Sequence, residues 1–311
     1  MIIAVAAFLF DALIGDPRSK FHPVVLIGNL ISLLEKFLRR DDDNPSVKII
    51  KGGILVFVVV ISMLFIGVGI NFLTLKIPSI TAQIFLQAII LSFMISPRSL
   101  SEAGREIYNL LESNDLIHAR EKVGWIVGRD TKNLNESEVT RATVETVAEN
   151  TVDGIISPLF YFALGGLPLA IAYRAVNTMD SMLGYKNEKY IHFGRVAARM
   201  DDIANFIPAR LTGLLFIMSA FILKFDYRNA FNMMCRDARK HPSPNGGWAE
   251  ATVAGALNIR LGGINYYFGE PHFREYMGDP NENLKAAHIM GTIKMMYTAT
   301  TLFLICAVLI C

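Results

Sequence analysis

Two long apolar runs near the front of the chain set its character. Gly52 to Leu75 carries no charged residue and makes about 36 Å of helix, more than the ~30 Å hydrocarbon core of a bilayer. Ile77 to Ser96 is a second uncharged run, opened by Pro78 and closed by Pro97, and the very short connection makes the two a hairpin. Four further apolar stretches cover Met1 to Gly15, Ile155 to Ala172, Phe206 to Leu223 and Ile289 to Cys311. The first contains Asp11, and an Asp at the centre of a span costs about 3 kcal/mol, so it reads as a short embedded or re-entrant element that turns Asp11 inward. Pro158, Gly165, Gly166 and Pro168 interrupt Ile155 to Ala172. Irregular backbone survives at membrane depth where it lines a polar cavity, so this stretch is expected to be broken and re-entrant.

Polar inserts separate the apolar runs. In residues 97–153, Ser101 to Leu111 and Asp115 to Val127 have helical spacing, and Asn135-x-x-Glu138 offers a capping box to a third helix. Residues 224–288 form a second, basic insert. The expected fold is all-α: one polytopic helical membrane domain over residues 1–311 with two helical inserts. Lys and Arg crowd the loops flanking the first hairpin, from Arg18 to Lys51 and from Arg98 to Arg141, and again from Arg174 to Arg199. The positive-inside rule places these loops in the cytoplasm of a multi-pass cell-membrane protein. The stretch Arg39 to Ser46 reads as a solvated linker.

Composition agrees with a lipid bilayer as partner. Hydrophobic residues make up 52% of the chain and charged residues 19%, against about 25% charged in soluble domains. The net charge of +2 leaves no basic footprint for nucleic acid. The three cysteines show no metal spacing, and the first fifteen residues lack the basic leader of a cleaved signal peptide. No phosphate-binding GxxxxGK[ST], GxGxxG or serine elbow occurs.

The polar residues worth explaining gather around Ile155 to Ala172. Before it, Arg141, Glu145, Glu149 and Asp153 recur every four residues, drifting only about 40° per step round a helix. Glu145 and Glu149 are like-charged neighbours, a small penalty on a bare helix that a divalent cation or cationic substrate reverses. After it come Asn177, Asp180 and the cluster Asp201-Asp202-x-x-Asn205, flanked by Arg199 and Arg210. Hard carboxylate oxygens suit Mg²⁺ held jointly with substrate phosphates, while an exposed charged turn is the plainer alternative. Gly128-Arg129-Asp130-Thr131 is either an anion-binding turn or a helix end with a local salt bridge. His22, beside Pro23, is either a capping loop residue or a ligand. In the second insert, Ser243, Asn245 and two glycines precede a helix starting near Trp248 with Glu250 in its first turn, and such a helix end offers free N–H groups to phosphate.

Taken together, DALIGDPRSKFHPVVLIG, VGRDT, VETVAENTVDGIISPLFY, YRAVNTMDSMLGY, FGRVAARMDDIANFIPARLT and HPSPNGGWAEATVAGALNIRLGG resemble the CobD/CbiB family, the membrane adenosylcobinamide-phosphate synthases of cobalamin biosynthesis. The resemblance implies an ATP-dependent amide bond between a propionate of adenosylcobyric acid, a corrinoid, and aminopropanol phosphate or aminopropanol. On that implication, Glu145, Glu149, Asp153, Asp201 and Asp202 are candidates for Mg²⁺–ATP, with Glu149 and Asp153 close to the chemistry and Asp180 a base for the amine. Arg129, Asp130, His22, Asn177, Arg199, Arg210, Ser243, Asn245 and Glu250 are candidates for substrate and phosphate contacts. The acidic stripe, the Asp201 cluster and the Asn245 turn are then expected to meet in one cytoplasmic pocket. Two other classes compete. A transferase using a Mg²⁺–diphosphate prenyl substrate needs no ATP, and a transporter calls for an inverted repeat that the sequence does not display.

Overall fold

The computed structural model describes residues 1–15, 19–185 and 187–310. Asp16, Pro17, Arg18 and Lys186, which the sequence places in basic loops, and Cys311 lie outside the described residues. The chain is all-α apart from one hairpin. In order the elements are α1 (Ile2–Ile14), α2 (Pro23–Leu38), α3 (Pro45–Leu75), α4 (Ile80–Ser92), α5 (Pro97–Glu112), α6 (Leu116–Gly124), α7 (Glu136–Thr151), a π-turn (Val152–Ile156), α8 (Ser157–Leu183), α9 (Arg195–Ala204), α10 (Phe206–Ile222), α11 (Tyr227–Asp237), a 3₁₀ turn (Ala238–Lys240), α12 (Gly246–Ala256), β1 (Leu261–Tyr267), β2 (Glu270–Met277) and α13 (Ala287–Ile310). They divide into two compact units. One comprises residues 1–96, 157–205 and 307–311, the other 97–156 and 206–306.

Among the described residues, three helices are long and apolar enough to cross a membrane: Pro45–Leu75, Glu136–Leu183 and Ala287–Ile310. Two bent pairs, Ile80–Ser92 with Pro97–Glu112 and Arg195–Ala204 with Phe206–Ile222, raise the number to as many as five. The chain is a multi-pass membrane protein by these lengths. Helix α3 leaves Phe57, Phe65 and Phe72 exposed, as expected of a helix apolar all round whose outer face meets lipid. It starts at Pro45, capped by the Asn44 side chain on Val47 N–H, so the segment read as a linker ends by launching the span. The run to Ser96 makes a shorter helix than its length allows, because α4 stops at Ser92 and α5 restarts at Pro97. Helix α8 is broken where the sequence breaks it, with non-helical backbone at Gly165 and Gly166 just before Pro168.

In the first unit, α3 packs against α8 at close range. A Cβ on Gly67 would lie 2.6 Å from Pro168 Cα, so the backbones touch through the missing side chain, as small residues allow between membrane helices. Gly69, two residues on and so on the opposite side of the helix, meets nothing within 4 Å. Gly67→Val is therefore expected to lower stability in detergent by about 1–3 kcal/mol while Gly69→Val leaves it near wild type. Equal melting temperatures for the two variants would refute this packing. In the same unit α1 buries Asp11, as its apolar surroundings require, and His22 caps α2 by accepting the Val24 N–H at Nδ1.

The second unit holds helices α5, α6 and α7, with the predicted Asn135–Glu138 capping box present, together with α10 to α13 and the hairpin. The hairpin was not legible as strands. Its two-residue turn, Phe268-Gly269, has both residues at positive φ, 53° and 84°, the backbone that matches strand twist in a tight hairpin. Asp237 at the end of α11 is buried, accepting from Arg236, Lys240 and the Gly278 N–H. Burial alone would raise its pKa, but those hydrogen bonds and charges bring it from the ordinary 3.8 down to about 2. A depressed carboxylate stabilises the fold above its unfolded pKa and loses that contribution as pH falls through the folded value. Between pH 4 and 2, unfolding stability should therefore drop more steeply in the wild type than in Asp237→Asn, and parallel slopes would contradict this.

Candidate functional site

The Asp201 cluster belongs to the first unit. Helix α9 ends at Ala204, and Asn205 caps it. The four-residue spacing brings Asn205 Nδ2 to 2.9 Å from Asp201 Oδ2. Asn205 Oδ1 accepts two hydroxyls, from Ser157 at 2.6 Å and from Tyr173 at 2.8 Å. Tyr173 is stacked on Tyr161 at 5.0 Å, and Tyr161 in turn donates to the Ala204 carbonyl at 3.0 Å. Two donors on its oxygen fix which way the Asn205 amide points, so its NH₂ holds Asp201. Asp201 is only 8% exposed, and its Oδ1 accepts no hydrogen bond among the described residues. Asp180, Asn177 and Asp202 stand close enough to act on it. Among them, Arg199 is mostly exposed and lies 3.6 Å from Asp202. A buried carboxylate with an unused oxygen beside two more acids has the donor chemistry that could hold a hard cation such as Mg²⁺.

The acidic stripe belongs to the second unit, and its two glutamates have different surroundings. Glu145 Oε1 accepts from the Gly262 N–H at 2.9 Å and from Arg141 at 3.3 Å, and Oε2 lies 2.8 Å from Arg129 Nη2. Arg129 and Arg141 also share Asn265 Oδ1, and Arg141 reaches the Ile264 carbonyl. Gly262 sits at φ +83° in a bulge of β1, which aims its N–H at the carboxylate. Both charges of the Arg129 turn are thus spent on the hairpin, since Asp130 accepts the Gly269 N–H at 2.7 Å. Glu145 is a buried ion-pair centre: its Oε1 accepts from two protein donors, and its Oε2 is neutralised by the nearby Arg129 guanidinium without accepting a hydrogen bond among the described residues.

One turn on, Glu149 meets His241 and Glu250. A ligand atom from each of the three lies within 4.8 Å of the others. Glu250 is fully buried; its Oε1 lies 3.3 Å from His241 Nε2 and 3.2 Å from Arg274 Nη2. Burial opposes its charge, but Arg274 first and His241 second hold its carboxyl well below the usual range. The two glycines that open α12, two residues earlier than the start expected near Trp248, pack on this histidine. A Cβ on Gly246 would sit 2.7 Å from His241 Cε1, and one on Gly247 2.1 Å from the Ala238 carbonyl. Those glycines therefore make room for His241 as well as opening a helix N-terminus. Asn245 caps nothing with its side chain; its N–H donates to Ser243 Oγ, and its Oδ1 is 3.5 Å from Arg210 Nη1. Arg210 lies over the rings of Phe206 and Trp248. Asp153 lies in the π-turn that follows α7. His241 and Arg274 were not singled out from sequence. The first stands in the quoted HPSPNGG motif, whereas the second lies in a stretch without any motif.

The sequence profile described as CobD/Cbib protein matches residues 4–296. A cobalamin biosynthesis protein CobD of Geobacter metallireducens is 46% identical over 98% of this chain and 95% of its own. One from Citrobacter koseri is 46% identical over 96% and 93%, and a cobalamin biosynthesis protein CbiB of Salmonella typhimurium is 45% identical over the same shares. No solved structure matches the chain.

Proposed function

Because this chain belongs to the CobD/CbiB family, and so to the enzymes of cobalamin biosynthesis, we propose that it joins aminopropanol phosphate, or aminopropanol, to a propionate of adenosylcobyric acid at the expense of ATP. The observation that carries the chemical part is Asp201, buried and held through Asn205 with one oxygen unused beside Asp180 and Asp202. A carboxylate is a poor acyl donor. Transfer of the γ-phosphoryl group to the propionate gives an acyl phosphate and ADP. Attack by the amine then forms the amide and releases phosphate, splitting one hard step into two. Phosphoryl transfer asks mainly for positioning and charge neutralisation, which Mg²⁺ supplies when bound. Asp201 and Asp202 are suited to hold it, and Asp180 to take the proton that the attacking ammonium loses. Arg199, exposed beside Asp202, is free to meet a phosphate. In this reading the reaction takes place on the cytoplasmic side of the cell membrane.

The test is a defined assay with protein purified in detergent. Adenosylcobyric acid, aminopropanol phosphate, ATP and Mg²⁺ should yield a corrinoid heavier by the amide-linked arm, with one ADP formed per product. Corrinoid should bind without ATP. Product formation that continues without any nucleotide, or failure of the corrinoid to bind, would remove the proposal.

A further inference from the structure

We propose that Glu149, His241 and Glu250 form a second divalent-cation site, one for a borderline metal such as Zn²⁺ or Mn²⁺, and that Arg274 occupies it when the metal is absent. The inference is separate from the nucleotide reading, which concerns a different unit of the chain. Three ligand atoms already lie within 4.8 Å of one another. Two carboxylates with an imidazole favour a borderline metal over Mg²⁺, which prefers oxygen alone.

Two observations point to a cation at the centre of this cluster. The first is that one is already there. Arg274 Nη2 is in close contact with His241 Nε2 and lies 3.2 and 3.4 Å from the two Glu250 oxygens. A guanidinium has donors only, and it stands among these three ligands where a metal cation would. The other ring nitrogen, Nδ1, lies 3.0 Å from the Ser243 N–H and 3.2 Å from the Ser243 carbonyl, so the turn steadies the ring with Nδ1 either accepting or donating, and in the second case makes the contact typical of metal-bound histidine. The second observation is Glu149. Among the described residues no donor pairs with its carboxylate, although it faces His241 and Glu250.

Arg274 is also the guanidinium able to leave. The side chains of Arg129 and Arg141 are 5% and 7% exposed, whereas that of Arg274 is 17% exposed. It sits on β2, and its Nη1 is 3.9 Å from Glu145, an anchor on which it can settle after yielding the centre. Metal and arginine then compete for the same three ligands.

The experiment is equilibrium dialysis of the purified full-length protein against Zn²⁺ or Mn²⁺ with metal quantified per chain. Wild type should take up about one equivalent that survives Asp201→Asn. Glu149→Gln and His241→Ala should weaken this uptake by roughly tenfold or more. Arg274→Gln should strengthen it, the opposite of what loss of a purely structural arginine would do. Pulsed EPR of Mn²⁺ bound to wild type should show nitrogen coupling from one imidazole, a readout that needs no variant to fold. Absence of nitrogen coupling, uptake unchanged in His241→Ala, or no gain in Arg274→Gln would each overturn the proposal.

Discussion

Asp201→Asn is expected to lower Mg²⁺-dependent turnover by on the order of 10²–10³-fold while leaving the melting temperature in detergent almost unchanged. The reason lies in how Asp201 is held. Its Oδ2 serves as an acceptor for Asn205 Nδ2, and the oxygen of an introduced asparagine can do that equally well. Its Oδ1 accepts no hydrogen bond among the described residues, and Asn177, the other amide acting on the carboxylate, can meet an introduced asparagine as well. The substitution therefore removes one negative charge and one oxygen ligand and little else. Losing a preorganised charge at a phosphoryl-transfer centre has a penalty of this size. The half-saturating Mg²⁺ concentration should rise alongside the fall in kcat. An unchanged Mg²⁺ requirement would return Asp201 to the status of a buried structural acid.

Glu145→Ala should do the reverse, destabilising the second unit by about 3–5 kcal/mol, the range for removing one partner of a buried ion pair. Arg129 and Arg141 would keep their charges with only Asn265 and the Ile264 carbonyl as partners. The buried Gly262 N–H would lose its acceptor. Glu149→Ala, one turn away, removes a carboxylate that no donor among the described residues pairs and should change stability far less. Thermal unfolding of the two variants side by side, with limited proteolysis of residues 261–277, gives the comparison. If Glu149→Ala proves the more damaging, the division of the stripe into a structural and a ligand-binding half is mistaken.

That division also marks where reading the sequence stopped. Periodicity located the helices because membrane spans and amphipathic helices advertise themselves locally: α3, α10, α13 and the Asn135 capping box all follow from patterns a few residues wide. The same locality explains the misses. The four-residue spacing put Glu145 and Glu149 on one face, but that the Gly262 amide closes over the first while the second faces His241 is decided by residues more than ninety positions away. Arg129 and Asp130 looked like an anion-binding turn because the hairpin that uses both charges begins over 130 residues later. The hairpin itself was hidden by its turn, since Phe268 takes a positive φ that a non-glycine residue seldom adopts, so no Asn-Gly or Asp-Gly pair announced it.

The bond from Gly262 to Glu145 spans 117 residues, and it has a consequence for synthesis. A ribosome finishes α7 long before β1 is made. Through that interval Glu145 and its two arginines have no hairpin over them, and water must do the work that the Gly262 amide, Asn265 and the Ile264 carbonyl do later. The charged heart of this unit is thus assembled wet and sealed late, when the last quarter of the chain closes over it. Nascent chains halted before Leu261 would carry three apposed charges without their cover, which makes them natural clients for chaperones and quality-control proteases rather than half-finished enzymes.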